Sequence, residues 1–186
     1  MRQNPSFTMA KEDAVKRLVR EHPWASIVSM TDASGLVASH YPVLLDETAD
    51  GIVLLTHVGR PDEVVHELGR HELLEPDENL RVLDALVDHF EERMPEPRAI
   101  RSSPENAAYA ERIAAGTVGL RIPITRFVAK NKMSQNRPAE TVDRIIAELD
   151  GDGPYASPAL AAEMRRTHEV LRAARAERRG HAGERR

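Results

Sequence analysis

Ala25-Ser26-Ile27-Val28-Ser29-Met30-Thr31, then Asp32-Ala33-Ser34-Gly35, then Leu36-Val37-Ala38-Ser39-His40-Tyr41-Pro42-Val43-Leu44-Leu45 is the stretch on which the architecture turns. Two β-like runs flank a four-residue turn made of the residues that hairpins use. A third run, Ile52 to Val58, follows a turn ending in Asp50-Gly51. Loops this short join antiparallel neighbours, so the three runs predict a β-meander. Pro42 has no N–H for a ladder, and its place inside the second run predicts an edge or a bulge there.

Helical patterns lie on both sides. From about Ala10 to Glu21, Ala14, Val15, Leu18 and Val19 recur on one face, and Pro23 stops the run. Asp62 to Gly69 and Asp77 to Arg93 read as two further helices, the longer burying Leu80, Leu83, Val87 and Phe90 and ending at Pro95 and Pro97. Ser103-Pro104 is a cap followed by a first-turn proline, opening a helix to Ala115. Thr117 to Ile122 and Ile124 to Lys130 read as strands. Asn136-Arg137-Pro138 opens a helix with Val142, Ile145, Ile146 and Leu149 on its apolar face; Gly151 and Gly153 break it. Ser157-Pro158 caps a last helix that runs into an arginine-rich tail. The order predicts an α+β fold with a largely antiparallel sheet. Its five strands must close as a barrel or leave edges to be managed.

Composition removes several function classes. With 41% apolar residues in 186 there is material for a core, while 4% aromatics leaves few rings for stacking. Cysteine is absent, which excludes disulfides, thiolate metal sites, iron–sulfur clusters and a cysteine nucleophile. No apolar run approaches the roughly 20 residues of a membrane helix. Met1-Arg2-Gln3-Asn4-Pro5 lacks the apolar stretch of a signal peptide, so a soluble cytoplasmic protein without membrane contact is expected. Charge is uneven: Arg165 to Arg186 holds eight arginines against three glutamates, and the rest is acidic. A basic tail can touch nucleic acid, but no helix-turn-helix pattern accompanies it; a solvated terminal helix is the plainer reading.

Four motifs carry candidate chemistry. His66-Glu67-Leu68-Gly69-Arg70-His71 has the wrong spacing for a zinc-protease helix, because residues five apart diverge by roughly 140°. Neither a dinucleotide-binding glycine motif nor a phosphate-loop lysine motif is present. Ser39-His40-Tyr41-Pro42 lies within a strand, so His40 and Tyr41 point to opposite faces. Thr56-His57-Val58-Gly59-Arg60-Pro61 closes the next strand, where glycine admits close backbone approach and Arg60 can grip a phosphate; a plain surface turn is the alternative. Lys130-Asn131-Lys132-Met133-Ser134-Gln135-Asn136-Arg137 holds two of the four lysines and a row of donors just before a helix start, which favours an anion; an Asn136 cap beside solvated lysines is the alternative.

Together with His22-Pro23-Trp24-Ala25-Ser26-Ile27-Val28-Ser29 and Ala38 to Asp46, these motifs resemble the PaiB-type "FMN-binding negative transcriptional regulator" family over roughly residues 5 to 150. Lys132-Met133-Ser134-Gln135-Asn136-Arg137 is the most specific point of likeness. The resemblance implies an antiparallel split β-barrel of the flavin-reductase and pyridoxamine-oxidase kind with flanking helices, a homodimer with FMN near its interface, and the regulator role. Domain bounds follow as 1–155 for the barrel and 156–186 for the terminal helix and tail. Two departures stand out. Family members carry a long aromatic-rich central segment, whereas Glu72 here runs straight into Leu73-Leu74-Glu75-Pro76, so that segment is expected to be absent near 71–74. The usual run after the strand-end histidine is reduced to Arg60-Pro61-Asp62.

The expected FMN site therefore assigns Lys132, Ser134 and Arg60 to the phosphate, Gln135 and Asn136 to the ribityl chain or ring edge, and His40 and His57 to the isoalloxazine pocket. No catalytic residue or metal ligand is assigned. Flavin redox activity and sequence-specific DNA binding stay open, with the body of the chain expected not to read DNA strongly. Piperazate synthases, which are similar to the same wider family, bring a second reading: a haem enzyme with His57, then His40, as axial ligand, and Lys132 serving a substrate carboxylate or a proton. A cofactor-free interaction module is the third.

Overall fold

Residues 5–9 and 11–183 are described by the structure, a computed structural model, with side-chain burial through residue 173. The arginine-rich tail beyond that position, singled out above, lies outside the described side chains. The chain forms two compact units, one from Lys11 to Phe127, the other from the residues before it together with Val128 onward. Among the described residues there are six α-helices, and every strand pairing is antiparallel.

In the larger unit, α1 (Glu12–Glu21) leads into β2 (Trp24–Thr31) and β3 (Gly35–Pro42), β1 (Thr8–Met9) belonging to the other unit. β2 and β3 pair over their whole length, Trp24 with Pro42 to Thr31 with Gly35. Gly35 sits at φ 68°, a conformation glycine reaches without strain, and Thr31 Oγ1 accepts from the Ser34 N–H at 3.1 Å, which closes the turn. The meander stops there. Pro42 ends β3, the Val43 N–H donates back to Pro23 O at 3.0 Å, and Val43 is buried. The chain thus steps into a second sheet, because proline cannot extend the first ladder. That sheet has the order β4 (Leu44–Leu45), β5 (Val53–Gly59), β7 (Thr117–Pro123), β6 (Glu72–Leu73). β3 and β5 are therefore not ladder neighbours, which corrects the three-strand meander. Glu72 and Leu73 pair with Arg121 and Leu120 as a short edge strand at the place where the central segment was expected to be lacking.

The four-stranded sheet is covered on both faces. Val58, Val118 and Leu120 pack with Leu68, Ile27 and Tyr41. Leu55 and Leu44 meet Leu74, Val82 and Leu86, the last two from α3 (Pro76–Glu91). α2 (Arg60–His66) and α4 (Pro104–Ala115) complete the unit, with Ser103 Oγ accepting from the Asn106 N–H as the sequence predicts for a cap. One cation ties four segments: Arg121 binds Asp46, Glu72 and Glu78, and the Asp46 side chain is only 7% exposed.

In the smaller unit, β1 (Thr8–Met9) pairs with β8 (Ala129–Lys130). The strand expected over Ile124 to Lys130 shrinks to those two residues. α5 (Ala139–Asp150) starts after Pro138 rather than at Asn136, and α6 (Pro158–Gly183) follows. Val142 and Leu149 pack with Ala161 and Met164 to form this unit's core, matching the apolar face read from α5. Overall the fold is α+β with antiparallel sheets; the strands form three separate sheets and no closed barrel among the described residues.

Candidate functional site

β5 ends at Gly59, which caps α2, and His57 lies two residues before that cap. Its ladder partner is Gly119, so no side chain stands across from it on that face. The imidazole is half-buried and edge-on to Tyr41, with ring centroids 6.5 Å apart. Its Nδ1 is buried and has no hydrogen-bond partner among the described residues. Burial holds the imidazole below its usual titration range, so the ring is neutral at physiological pH. In a neutral imidazole Nδ1 is either a donor or an acceptor, according to tautomer. Tyr41 beside it donates its hydroxyl to Asp62 Oδ2 and lies 3.5 Å from the Gly59 N–H. Burial first, and then the bond to Asp62, raise the phenol above its ordinary value.

Arg60 opens α2. Its Nε donates to Ala115 O at 2.9 Å and its N–H to Gly116 O, so it closes the C-terminal end of α4, where carbonyls and helix dipole attract a cation. The cavity beside it is also lined by Glu63, Asp77 and Glu111, three carboxylates that a phosphate would have to approach. His40 is exposed on the outer face of the hairpin, where its Nδ1 shares a 2.9 Å hydrogen bond with Ser26 Oγ. His57 and Arg60 thus stand at one strand end, and His40 on the hairpin's outer face.

Lys132, Ser134, Gln135 and Asn136 belong to the smaller unit. Gln135 is buried and its carboxamide is engaged within the loop: Oε1 accepts from the Met133 N–H at 2.7 Å and Nε2 donates to Asn131 O. Asn131 Nδ2 donates to Thr167 Oγ1 at 2.8 Å and Glu163 Oε1 at 3.2 Å, and His168 bonds Met133 O, so α6 braces the loop. Ser134 takes φ 58°, and its carbonyl accepts from the Arg137 N–H. Lys132 and Asn136 are exposed, and no side chain caps the start of α5. The donors that remain available in this loop are the ammonium of Lys132, the hydroxyl of Ser134, the side chains of Asn136 and Arg137, and the first N–H groups of α5.

Two buried polar groups escaped the sequence reading. His66, 1% exposed, is held between Ser29 Oγ and Ser39 Oγ at 3.0 Å on each ring nitrogen, pinning α2 to the hairpin; His71 is exposed beyond the next turn. Asn79, 4% exposed, donates Nδ2 to Thr117 Oγ1 at 3.1 Å and leaves Oδ1 unpartnered. Their partners lie 27 to 38 residues away, beyond the reach of local spacing. Among the described residues no group of three or more His, Asp or Glu side chains is arranged to hold a metal, and no helix is long and apolar enough to cross a membrane.

Fold and site define an α+β protein with antiparallel sheets and a neutral, half-buried imidazole at a strand end, its Nδ1 without a partner among the described residues. Comparison with known proteins adds one family. Residues 1–74 match the family model described as "Putative FMN-binding domain". The match spans less than half of the 186-residue chain; it contains His40, His57 and Arg60 and stops where the sequence departs from the PaiB-type pattern, short of Lys132 to Arg137. No curated protein matches the chain.

Proposed function

We propose that this chain binds FMN as a PaiB-type split-barrel protein, with His57 against the edge of the flavin ring. The observation that carries the reading is the buried, unpartnered Nδ1 of His57, inside the segment that matches the FMN-binding family. A buried polar atom without a partner is costly, and a ligand edge bearing donors and acceptors relieves it. Flavin, once bound, supplies one- and two-electron redox chemistry. This chain's residues contribute the rest: His57 offers a neutral donor or acceptor, Tyr41 orders the ring's surroundings through Asp62, and Gly59 lets the strand end come close. In the smaller unit, taken by itself, Lys132, Ser134 and the uncapped start of α5 are proposed as an anion contact.

A homodimer belongs to the same proposal. The outer face of the β2–β3 hairpin exposes Trp24, Val28, Met30 and Leu36, each at least 60% accessible, beside unpaired strand edges. Such a face suits a second copy of the chain. The negative-regulator role rests on the family resemblance and is tested separately, by footprinting.

The test is a visible spectrum and fluorescence titration with FMN, with haemin in a parallel aliquot. Quenched flavin fluorescence, weakened at least about tenfold in His57→Leu while Lys132→Ala is scored independently, is the expected result. Absence of quenching, or a Soret band on haemin addition that His57→Leu abolishes, would overturn the flavin reading.

A further inference from the structure

The outward face of the β2–β3 hairpin consists of Trp24, Ser26, Val28 and Met30 on one strand and Leu36, Ala38 and His40 on the other, all exposed, while the residues between them turn toward the protein. Trp24 faces Pro42 in the register, which sets Pro23 against Val43, and the Val43 N–H donates to Pro23 O. Ladder hydrogen bonds therefore fall on the odd-numbered residues of β2. Ser26 and His40 form a non-hydrogen-bonded pair, the kind whose side chains approach closest, and Ser26 Oγ lies 2.9 Å from His40 Nδ1. His40 is the single titratable member of the face. Along its strand it has Ala38 and Pro42, and across the ladder Trp24, Ser26 and Val28, all uncharged. His22 and Asp32 lie beyond the two ends. α2 and β5 pack under the hairpin and bring Asp62, His66 and His57, but these meet Tyr41, Ser29 and Ser39, whose side chains leave the opposite face.

We propose that this face joins two copies of the chain only while His40 is neutral, so that association weakens as the pH falls from 8 to 5.5; the inference rests on the homodimer reading above and adds its control. Trp24, Val28, Met30 and Leu36 alone leave on the order of 500 Å² open, more than half of the roughly 800 Å² that each partner of a stable interface contributes. A face without fixed charge does not repel its own copy and offers no ion pair to a charged partner, so a second copy is the occupant it fits. A two-fold contact brings His40 of both copies into one apolar interface. There a neutral imidazole keeps Ser26 as the partner of Nδ1. An imidazolium has two N–H donors, one of which Ser26 cannot take, and a charge that apolar surroundings do not repay. Two such cations at one interface also repel. Histidine changes charge between pH 5 and 8, so association is strongest at the alkaline end of that window and is lost toward the acid end.

Sedimentation velocity over a concentration series of the full chain, with and without added FMN, measures the dimer constant at pH 8 and pH 5.5, with circular dichroism reporting the fold at each. A dimer at pH 8 whose Kd rises at least about tenfold by pH 5.5 is expected. His40→Asn, which keeps a hydrogen-bonding side chain beside Ser26 and takes no charge, should dimerise equally at both. His22→Asn, outside the face, should keep the native pH response. Val28→Lys sets a permanent charge at an exposed position of the face and should leave a folded monomer at either pH. A dimer as tight at pH 5.5 as at pH 8, or a loss that persists in His40→Asn, overturns the pH control while the homodimer stands. A native chain that is monomeric at pH 8, or a dimer that Val28→Lys does not weaken, overturns the homodimer reading on this face and the inference with it.

Discussion

Gly119→Ala tests the packing beneath the cavity. A Cβ at this position would stand 2.6 Å from Asn79 Oδ1 and 3.0 Å from both its Cβ and its Cγ. Asn79 cannot retreat cheaply: it is on α3, 4% exposed, and tied to Thr117 Oγ1. Overpacking of this kind costs about 1–3 kcal/mol, and loss of the Asn79–Thr117 bond adds about 0.5–1.5. Removing a strand glycine returns about 0.5–1 kcal/mol of backbone entropy, so the net loss falls between about 0.5 and 4 kcal/mol, centred near 2. Urea unfolding followed by fluorescence of Trp24, the single tryptophan and a member of the same unit, reads it as a midpoint lower by roughly 1 M or more. In an Asn79→Ala background the Oδ1 and Cγ clashes vanish and only the 3.0 Å Cβ contact stays, so the same substitution should then cost about 1 kcal/mol or less. A loss below about 0.5 kcal/mol in the native background, or an unchanged cost beside Asn79→Ala, would refute the packing argument.

Three further outcomes are expected. His57 has its folded-state pKa lowered by burial, so the unfolded chain binds the extra proton first; stability is full above the ordinary imidazole pKa and falls as pH drops through it towards the folded value. His57→Leu should flatten that part of a urea-midpoint profile between pH 8 and pH 5, and an unchanged slope would count against the burial. His66→Ala leaves Ser29 and Ser39 without their shared partner and empties a fully buried site, for a loss of about 2–4 kcal/mol, against about 1 kcal/mol for either serine alone by thermal or urea unfolding. Arg121→Met strands Asp46, whose side chain is 7% exposed, and should cost about 2–4 kcal/mol, with a double-mutant cycle giving stronger coupling to Asp46 than to Glu72, which is 62% exposed.

Local signals were readable wherever the physics is local. Apolar spacing located α1, α3 and α5, Ser103 announced its cap, and Asp32 to Gly35 announced a hairpin whose glycine does take positive φ. The sheet partnership of β5 was not readable. A short loop between Pro42 and Val53 is equally compatible with pairing to β3 and with the step into a new sheet, and the choice was made by β7, more than 50 residues further on. β6 and β8, two residues each, are too short to show alternation at all.

The candidate site divides along the same line. His57, Gly59 and Arg60 stand out in the sequence because a strand end, a glycine and a helix start are contiguous, and the structure keeps them contiguous. Residue types and spacing also set the α+β class, the helix boundaries near prolines and glycines, and the absence of any thiol chemistry. What each polar side chain does was settled in three dimensions. Gln135 reads as a ligand donor until its carboxamide closes its own loop, and His66 reads as a failed metal motif until two serines from the hairpin enclose it. Asn79 carries no sequence signal, since its free oxygen depends on a glycine 40 positions away in β7. Hydrogen-bond satisfaction and burial are properties of neighbours that the chain brings together only on folding, whereas periodicity and capping are properties of residues already adjacent along it.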